Sequence, residues 1–387
     1  MRLSCLQENL NRGLSVVGRA VATRSTLPIT NNVLLATEGS RLKLAATNLE
    51  IAITCWIGAM VEDEGAITLP ARLFTEFVNA LPSRIKIEDK DEAAHVNMIL
   101  SSGSRSLQLK CARYEARING IEADDFPPIP QVTAGITASV EPAALREAIS
   151  HVVFAAATED TRPVLTGVHT EFDGNRLTLA AADGFRLAVH HNSLAKPVSD
   201  KVGVIIPART YNEVNRLLGD QEELIEIAIN TQRSQVLFKL KNAEIVSQII
   251  QGTFPNYSQL IPQSSTTRAA VDVGEFLKVT KTASIFARDG SGIVRLQIVQ
   301  GQDSAPGRMT VSARAEEIGD NMGDIDAMVD GEAVKIAFNG KYLTDVLGVL
   351  QEGQIVLEAT TSSSPGVIRP LGSQNYVYVV MPMFVQW

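Results

Sequence analysis

The chain has 387 residues, 45% of them apolar and 20% charged, which suits two or three domains with packed cores and excludes a disordered chain. It contains no run of about 18 uncharged apolar residues, so no helical membrane span is expected. The formal net charge of −8 excludes a broadly basic nucleic-acid binder, because tight duplex binding is driven by Lys and Arg releasing counterions from phosphate.

The elements follow in chain order. Leu6, Leu10, Leu14, Val17 and Val21 recur at helical spacing and predict an opening helix. Alternating runs at Arg41–Ala45 and Ile51–Trp56 read as strands. Leu73, Phe74, Phe77, Val78 and Leu81 predict a second helix, and Ile85–Glu88 and Ser106–Lys110 read as further strands. Pro142 suits the first turn of a third helix, with Leu145, Ile149, Val152 and Val153 as its buried face. Another helix is expected to bury Phe276, Leu277, Thr280, Ala283 and Ile285.

These elements repeat. Arg41-Leu42-Lys43-Leu44-Ala45-Ala46 returns as Arg176-Leu177-Thr178-Leu179-Ala180-Ala181, and more weakly as Arg308-Met309-Thr310-Val311-Ser312-Ala313. Leu69-Pro70-Ala71-Arg72 returns as Ile206-Pro207-Ala208-Arg209 and then as Phe338-Asn339-Gly340-Lys341. Phe126-Pro127 and Phe254-Pro255 each close a copy. A period near 130 residues is domain-sized, so each copy can bury its own core. The expected fold class is α+β: three similar domains, 1–132, 133–264 and 265–387, each with two helices on antiparallel sheet.

Charge is uneven. The expected helices (6–21, 70–81, 142–157, 207–218, 275–288 and 339–350) hold ten basic and six acidic residues, a net +4 that leaves −12 for the rest. Arg12 and Arg19 share one helix face, and Arg209 and Arg216 repeat the arrangement. Cys5, Cys55 and Cys111 stand far apart with no CxxC pair, which gives neither a disulfide framework nor a zinc motif. The first residues lack the pattern of a signal peptide, so a reduced, cytoplasmic protein is expected.

Four segments complete the pattern: Arg24-Ser25-Thr26-Leu27-Pro28-Ile29, Ala182-Asp183-Gly184-Phe185-Arg186-Leu187-Ala188-Val189, Gly252-Thr253-Phe254-Pro255-Asn256-Tyr257 and Val379-Val380-Met381-Pro382-Met383. In this order, inside three look-alike domains, they resemble the bacterial DNA polymerase III β subunit, the sliding clamp, over essentially the whole chain. The resemblance implies a non-catalytic processivity factor without cofactor or metal. It implies a head-to-tail homodimer ring around duplex DNA, with helices lining the hole. Topological retention needs only weak, sequence-neutral phosphate contacts, which reconciles the acidic balance with a DNA partner.

The resemblance also assigns residues. Arg24, Arg12, Arg72, Arg209 and Arg216 are expected at DNA. A pocket for partner peptides is expected from Leu165, Gly184, Phe185, Arg186, Leu187, Pro255, Leu260, Val379, Val380, Met381, Pro382 and Met383. Its implied partners are the polymerase III α subunit, the clamp loader and other proteins with clamp-binding segments. Ile285 and Phe286 are expected to meet Leu107 or Leu109 of a second chain. The chain departs from the family pattern at Phe185, where histidine is frequent, at Ala182, and at Gln259; the loop Thr161-Arg162-Pro163-Val164 lacks an aromatic, and the tail runs on to Gln386-Trp387. Trp387 is a candidate to dip into the pocket and compete with peptides.

Two rivals are weaker on the same residues. An enzyme would have to use His151, Glu159, Asp160 or Asp183, yet no nucleophile elbow, P-loop or metal spacing accompanies them. A sequence-specific DNA reader would need a basic domain with a recognition helix.

Overall fold

The computed structural model describes residues 1–22, 27–87, 90–133, 135–159, 161–219, 221–287, 292–302, 306–315, 317 and 319–386. One element order recurs three times, the first copy adding three short strands, Met60–Asp63, Arg84–Ile87 and Lys90–Ala93. The first copy runs β1 (Arg2–Leu6), α1 (Gln7–Val17), β2 (Asn32–Glu38), β3 (Arg41–Thr47), β4 (Ile51–Gly58), β5 (Met60–Asp63), β6 (Ala66–Pro70), α2 (Ala71–Ala80), β7 (Arg84–Ile87), β8 (Lys90–Ala93), β9 (His95–Ile99), β10 (Ser106–Cys111) and β11 (Tyr114–Asn119). The second runs β12 (Gly135–Val140), α3 (Pro142–Val152), β13 (Gly167–Asp173), β14 (Arg176–Ala182), β15 (Arg186–Ser193), β16 (Val202–Pro207), α4 (Ala208–Leu217), β17 (Ile225–Asn230), β18 (Gln235–Lys239) and β19 (Ala243–Gln248). The third runs β20 (Thr267–Asp272), α5 (Val273–Phe286), β21 (Ile293–Val299), β22 (Gly307–Ala315), β23 (Gly319–Gly331), β24 (Val334–Asn339), α6 (Gly340–Leu350), β25 (Gln354–Ala359), β26 (Gly366–Pro370) and β27 (Tyr376–Val380).

The compact units do not follow the copies. One unit holds Met1–Pro142 with Arg216–Ile249, and the other holds Ala143–Asn215 with Ile250–Trp387. Strand pairing is the reason. In the first unit β19 pairs with β4, Ser247 facing Ile51, so one sheet runs β12-β17-β18-β19-β4-β3-β2-β6. In the second unit β27 pairs with β15, Val380 facing Arg186, within a sheet of order β16-β13-β14-β15-β27-β26-β25-β20-β23-β22-β21-β24. The middle copy is thereby divided between two sheets, each of which also holds strands of another copy.

Within the first unit α1 packs on β3 and β4 and against α2. Leu10, Leu14 and Val17 are fully buried on that face, each contributing roughly 1.5–3 kcal/mol. The helix stops at Val17, four residues short of the periodicity, because Gly18 begins a 3-10 turn to Ala20. In α2 the buried positions are Phe74 and Val78, while Leu73 is 52% exposed. Leu73 lies about 100° around the helix from Phe74, off the stripe that faces the sheet. In the second unit α5 packs against α6 and on β22 and β23. It buries Phe276, Thr280 and Ala283 but leaves Ile285 exposed.

Tyr114–Asn119 carries only Ala116 and Ile118 among polar neighbours, too weak an alternation to read as a strand, yet it pairs with β10 along its length as β11. Cys5, Cys55 and Cys111 are free thiols in the core, and burial pushes those of Cys5 and Cys55 up to about 12. Among the described residues no helix is long and apolar enough to cross a membrane.

Candidate functional site

The helix cations are at the surface. Arg12 and Arg72 on the first-copy helices, Arg209 and Arg216 on α4, and Lys278, Lys281 and Lys341 on the third-copy helices are all exposed. Arg12 lines a groove of about 400 Å³ in the first unit, together with Trp56 and Lys241. Arg72 is partly neutralised by Glu76 one turn on, at 2.9 Å. Arg24 lies outside the described residues.

In the second unit a cavity of about 680 Å³ is lined by Leu165, Gly184, Phe185 and Arg186, along with Arg162 and Tyr342. Its frame is local. Asp183 Oδ1 accepts the backbone N–H groups of Phe185 and Arg186 at 2.9 and 3.0 Å, closing a tight turn. Gly184 sits in that turn at φ +93, a conformation that favours a residue without Cβ. The turn holds Phe185 59% exposed at the rim and sends Arg186 inward.

Arg186 is the centre of the site. Its Nη1 donates to Asp345 Oδ2 at 2.7 Å, its Nε to Asp183 Oδ2 at 2.9 Å, and its Nη2 to the Phe154 carbonyl at 2.8 Å. The Tyr342 ring lies 4.4 Å from the guanidinium carbon. Burial works against this cation, but the bonds from Asp345 and Asp183 prevail and its pKa is raised. Lys341 pairs with the same Asp345 at 3.0 Å. Two carboxylates thus meet two cations, and the cavity floor is close to neutral.

The other expected pocket residues divide into two groups. Leu187 and Val379 are core, in one cluster with Ala180, Val189, Val367 and Val377, against which Phe254, Tyr257 and Ile261 pack. Val380 is likewise fully buried in β27. Pro255, Leu260 and Met381 are exposed, while Pro382 and Met383 are half-buried. The Met381 N–H donates to the Phe185 carbonyl at 2.8 Å, which brings the tail to the rim. Sequence reasoning missed Asp345, Tyr342 and Phe154. A usable signal existed for Tyr342, which stands inside the marker Phe338-Asn339-Gly340-Lys341-Tyr342. Trp387 lies outside the described residues.

Of the residues expected at a subunit contact, Leu107 and Leu109 are buried in their own chain, on β10 between β11 and β9. The sheet edge is β11. Ile285 is exposed and Phe286 half-buried at the end of α5.

Among the described residues, the candidates for catalysis are divided between two places. Asp183 is consumed by the turn and Arg186. Glu159 lines the same cavity, whereas His151 packs against His190 and Tyr376. Asp160 lies outside the described residues.

Comparisons with known proteins match the three copies in order. Residues 1–130 match the model of the DNA polymerase III beta subunit N-terminal domain, 139–256 the central domain and 258–384 the C-terminal domain. The beta sliding clamp of Synechococcus elongatus is 34% identical over 389 residues, covering 99% of both chains. The crystal structure of the DNA polymerase sliding clamp from Bacillus subtilis superposes with a TM-score of 0.91 at 29% identity, covering 100% of each chain. That of the DNA polymerase III subunit beta from Pseudomonas aeruginosa gives 0.89 at 26% identity, again over both full chains.

Proposed function

As the chain belongs to the DNA polymerase III β subunit family, the β sliding clamps, we propose that two copies close head to tail around duplex DNA and tether other replication and repair proteins through the Arg186 cavity. It is a non-catalytic processivity subunit, and its place of work is the bacterial cytoplasm, on DNA.

One observation carries the closed assembly. The last strand of the second copy, β19, pairs with β4, and the last strand of the third, β27, pairs with β15. Among the described residues, the equivalent last strand of the first copy, β11, has a single neighbour. The third-copy equivalent of β4 and β15 is the first part of β23, which among the described residues pairs only with β22 over Gly319–Ala327. An exposed edge is a template for pairing, and these two edges are the two halves of a joint the chain already makes twice.

The register follows from the copies. Ile121, Ile250 and Met383 each donate a backbone N–H to the carbonyl of Thr68, Ile205 or Ala337. Ile118 therefore corresponds to Ser247 and Val380. The hairpin pairs Arg41–Gly58, Arg176–Ser193 and Arg308–Asp326 make Gly319 correspond to Ile51 and Arg186. The joint between chains accordingly sets Ile118 opposite Gly319, Arg117 opposite Asp320 and Ala116 opposite Asn321. Ile285 and Phe286, at the end of the helix that packs on β23, flank it.

Arg12, Arg209 and Arg216 supply the phosphate attraction, and Arg24 and Arg72 complete the set. Partner segments are the polymerase α subunit's, the clamp loader's and those of other clamp-binding proteins. They enter beside exposed Phe185, Leu260 and Met381, where an apolar anchor gains most because the floor charges are already paired. The three similar domains are taken as 1–132, 133–264 and 265–387.

The test is retention. Loaded with a clamp loader and ATP, the protein should stay on nicked circular DNA and run off a linear duplex of the same sequence. Equal loss from both substrates overturns the reading.

A further inference from the structure

Away from the Arg186 cavity, the second unit contains a smaller cavity of about 230 Å³, lined by Glu147, His151, His190, Glu352 and Tyr376 among others. Three potential ligand atoms converge there, all within 4.8 Å of one another: one each from Glu147, His151 and His190. Glu147 and His151 stand one turn apart on α3, and His190 comes from β15. The sequence spacing gives no hint of this set, because the third member is 39 residues further on and is delivered by the sheet.

These groups do not satisfy one another. Glu147 Oε1 stands 3.8 Å from His190 Nε2 and 4.0 Å from His151 Nδ1, beyond hydrogen-bond range. His190 is 98% buried, and its Nδ1 has no protein partner; neither do His151 Nδ1 and the Tyr376 hydroxyl. Buried polar atoms without partners are costly and rare, so His151 Nδ1, the atom that faces Glu147, calls for a reason. Burial, then the neighbouring rings, pushes His190 down to about 3, and burial lowers His151 too. The neutral imidazole is the form that donates a lone pair to a metal.

We propose that Glu147, His151 and His190 bind one Zn²⁺ ion, linking α3 to β15. Tetrahedral zinc holds N and O ligands about 2.0–2.2 Å away, hence roughly 3.4 Å from each other. Glu147 is 59% exposed, so its carboxylate has room to turn toward an ion. The ion ties the second-copy helix to a strand whose other neighbour is β27 of the third copy, so it reinforces the joint between them. Two imidazoles and a carboxylate select Zn²⁺ over Mg²⁺ or Ca²⁺, which prefer all-oxygen shells.

The test uses the full chain stripped with a chelator and titrated calorimetrically with Zn²⁺ at pH 7.5, then with Co²⁺ to read its visible absorption. The expected result is one equivalent per chain and a tetrahedral Co²⁺ spectrum, with affinity at least about tenfold weaker in Glu147→Gln and in His151→Gln. Circular dichroism checks folding; should His151→Gln unfold, the exposed Glu147→Gln still decides the matter. A wild-type chain that takes up no zinc, as a water-filled cavity would behave, overturns the proposal. So does binding that both variants leave unchanged, which would place the ion at other histidines.

Discussion

Arg186 and Asp345 are 159 residues apart in the chain and 2.7 Å apart in the fold. The Arg186 side chain is only 8% exposed, so removing a partner strands a desolvated cation. Asp345→Asn should destabilise the protein by about 3 kcal/mol, the low end for a broken buried pair because Asp183 and the Phe154 carbonyl remain. Urea unfolding measures this. The same variant should weaken partner-peptide binding, since the freed guanidinium makes the cavity floor cationic.

The joint between chains predicts a covalent trap. Opposed residues of antiparallel strands are about 4.5–5.5 Å apart at Cα, within disulfide range. Ala116→Cys with Asn321→Cys in one chain should yield an oxidised dimer of twice 41.7 kDa, while Ala116→Cys with Asp324→Cys, three positions out of register, should not. The native thiols are buried and leave the readout clean. A monomer under oxidising conditions in both variants would refute the pairing.

Charge across that joint gives an independent check. Asp320→Arg places like charges beside Arg117; at roughly 1 kcal/mol for each of the two joints of the ring it should raise the dimer dissociation constant up to about 30-fold. Adding Arg117→Asp should restore it. Sedimentation equilibrium decides between coupling and no coupling.

Acid should unfold the second unit through its histidines. Burial holds His190 at about 3 and His191 at about 4, both below the ordinary 6.5. A depressed base is neutral when folded and protonated when unfolded, so its contribution is complete above 6.5 and is lost as pH falls toward the folded value. The unfolded chain then binds more protons, and stability should decline by up to about 1.4 kcal/mol per pH unit for each histidine between pH 6 and 4. Glu147 faces His190 and softens this; His151 and Arg176 sharpen it. Urea midpoints at pH 7.5, 5.5 and 4.5 measure the slope, and His191→Gln should flatten it by about half.

Contact with DNA should be read in salt. Each phosphate neutralised contributes about 0.9 to the slope of log affinity against log salt. Arg12→Ala with Arg209→Ala should lower that slope by up to about 1.8 without changing preference among sequences. A change in sequence preference would indicate base readout instead.

Much of this architecture is legible in the residues. The Arg-Leu-x-Leu hairpins recur because each copy needs the same strand pair, and Pro142 marks the start of α3 as its fixed φ suggests. What the sequence conceals is pairing over distance. Asp345 finds Arg186, and His190 finds Glu147, only through the sheet. β11 is hidden because an edge strand with Glu115, Arg117 and Asn119 shows no apolar stripe. Leu107 and Leu109, expected at a subunit contact from the resemblance, alternate with exposed Gln108 and Lys110 and lie on the buried face of β10.

The two joints inside the chain differ from the proposed joint between chains in one respect, the polypeptide that leads from one copy to the next. That tether keeps β19 near β4 and β27 near β15 at an effective concentration of order millimolar, whatever the amount of protein present. β11 and β23 of separate chains have no such leash. Dilution therefore acts on the third kind of joint alone, and a ring built this way carries its own designated place to open.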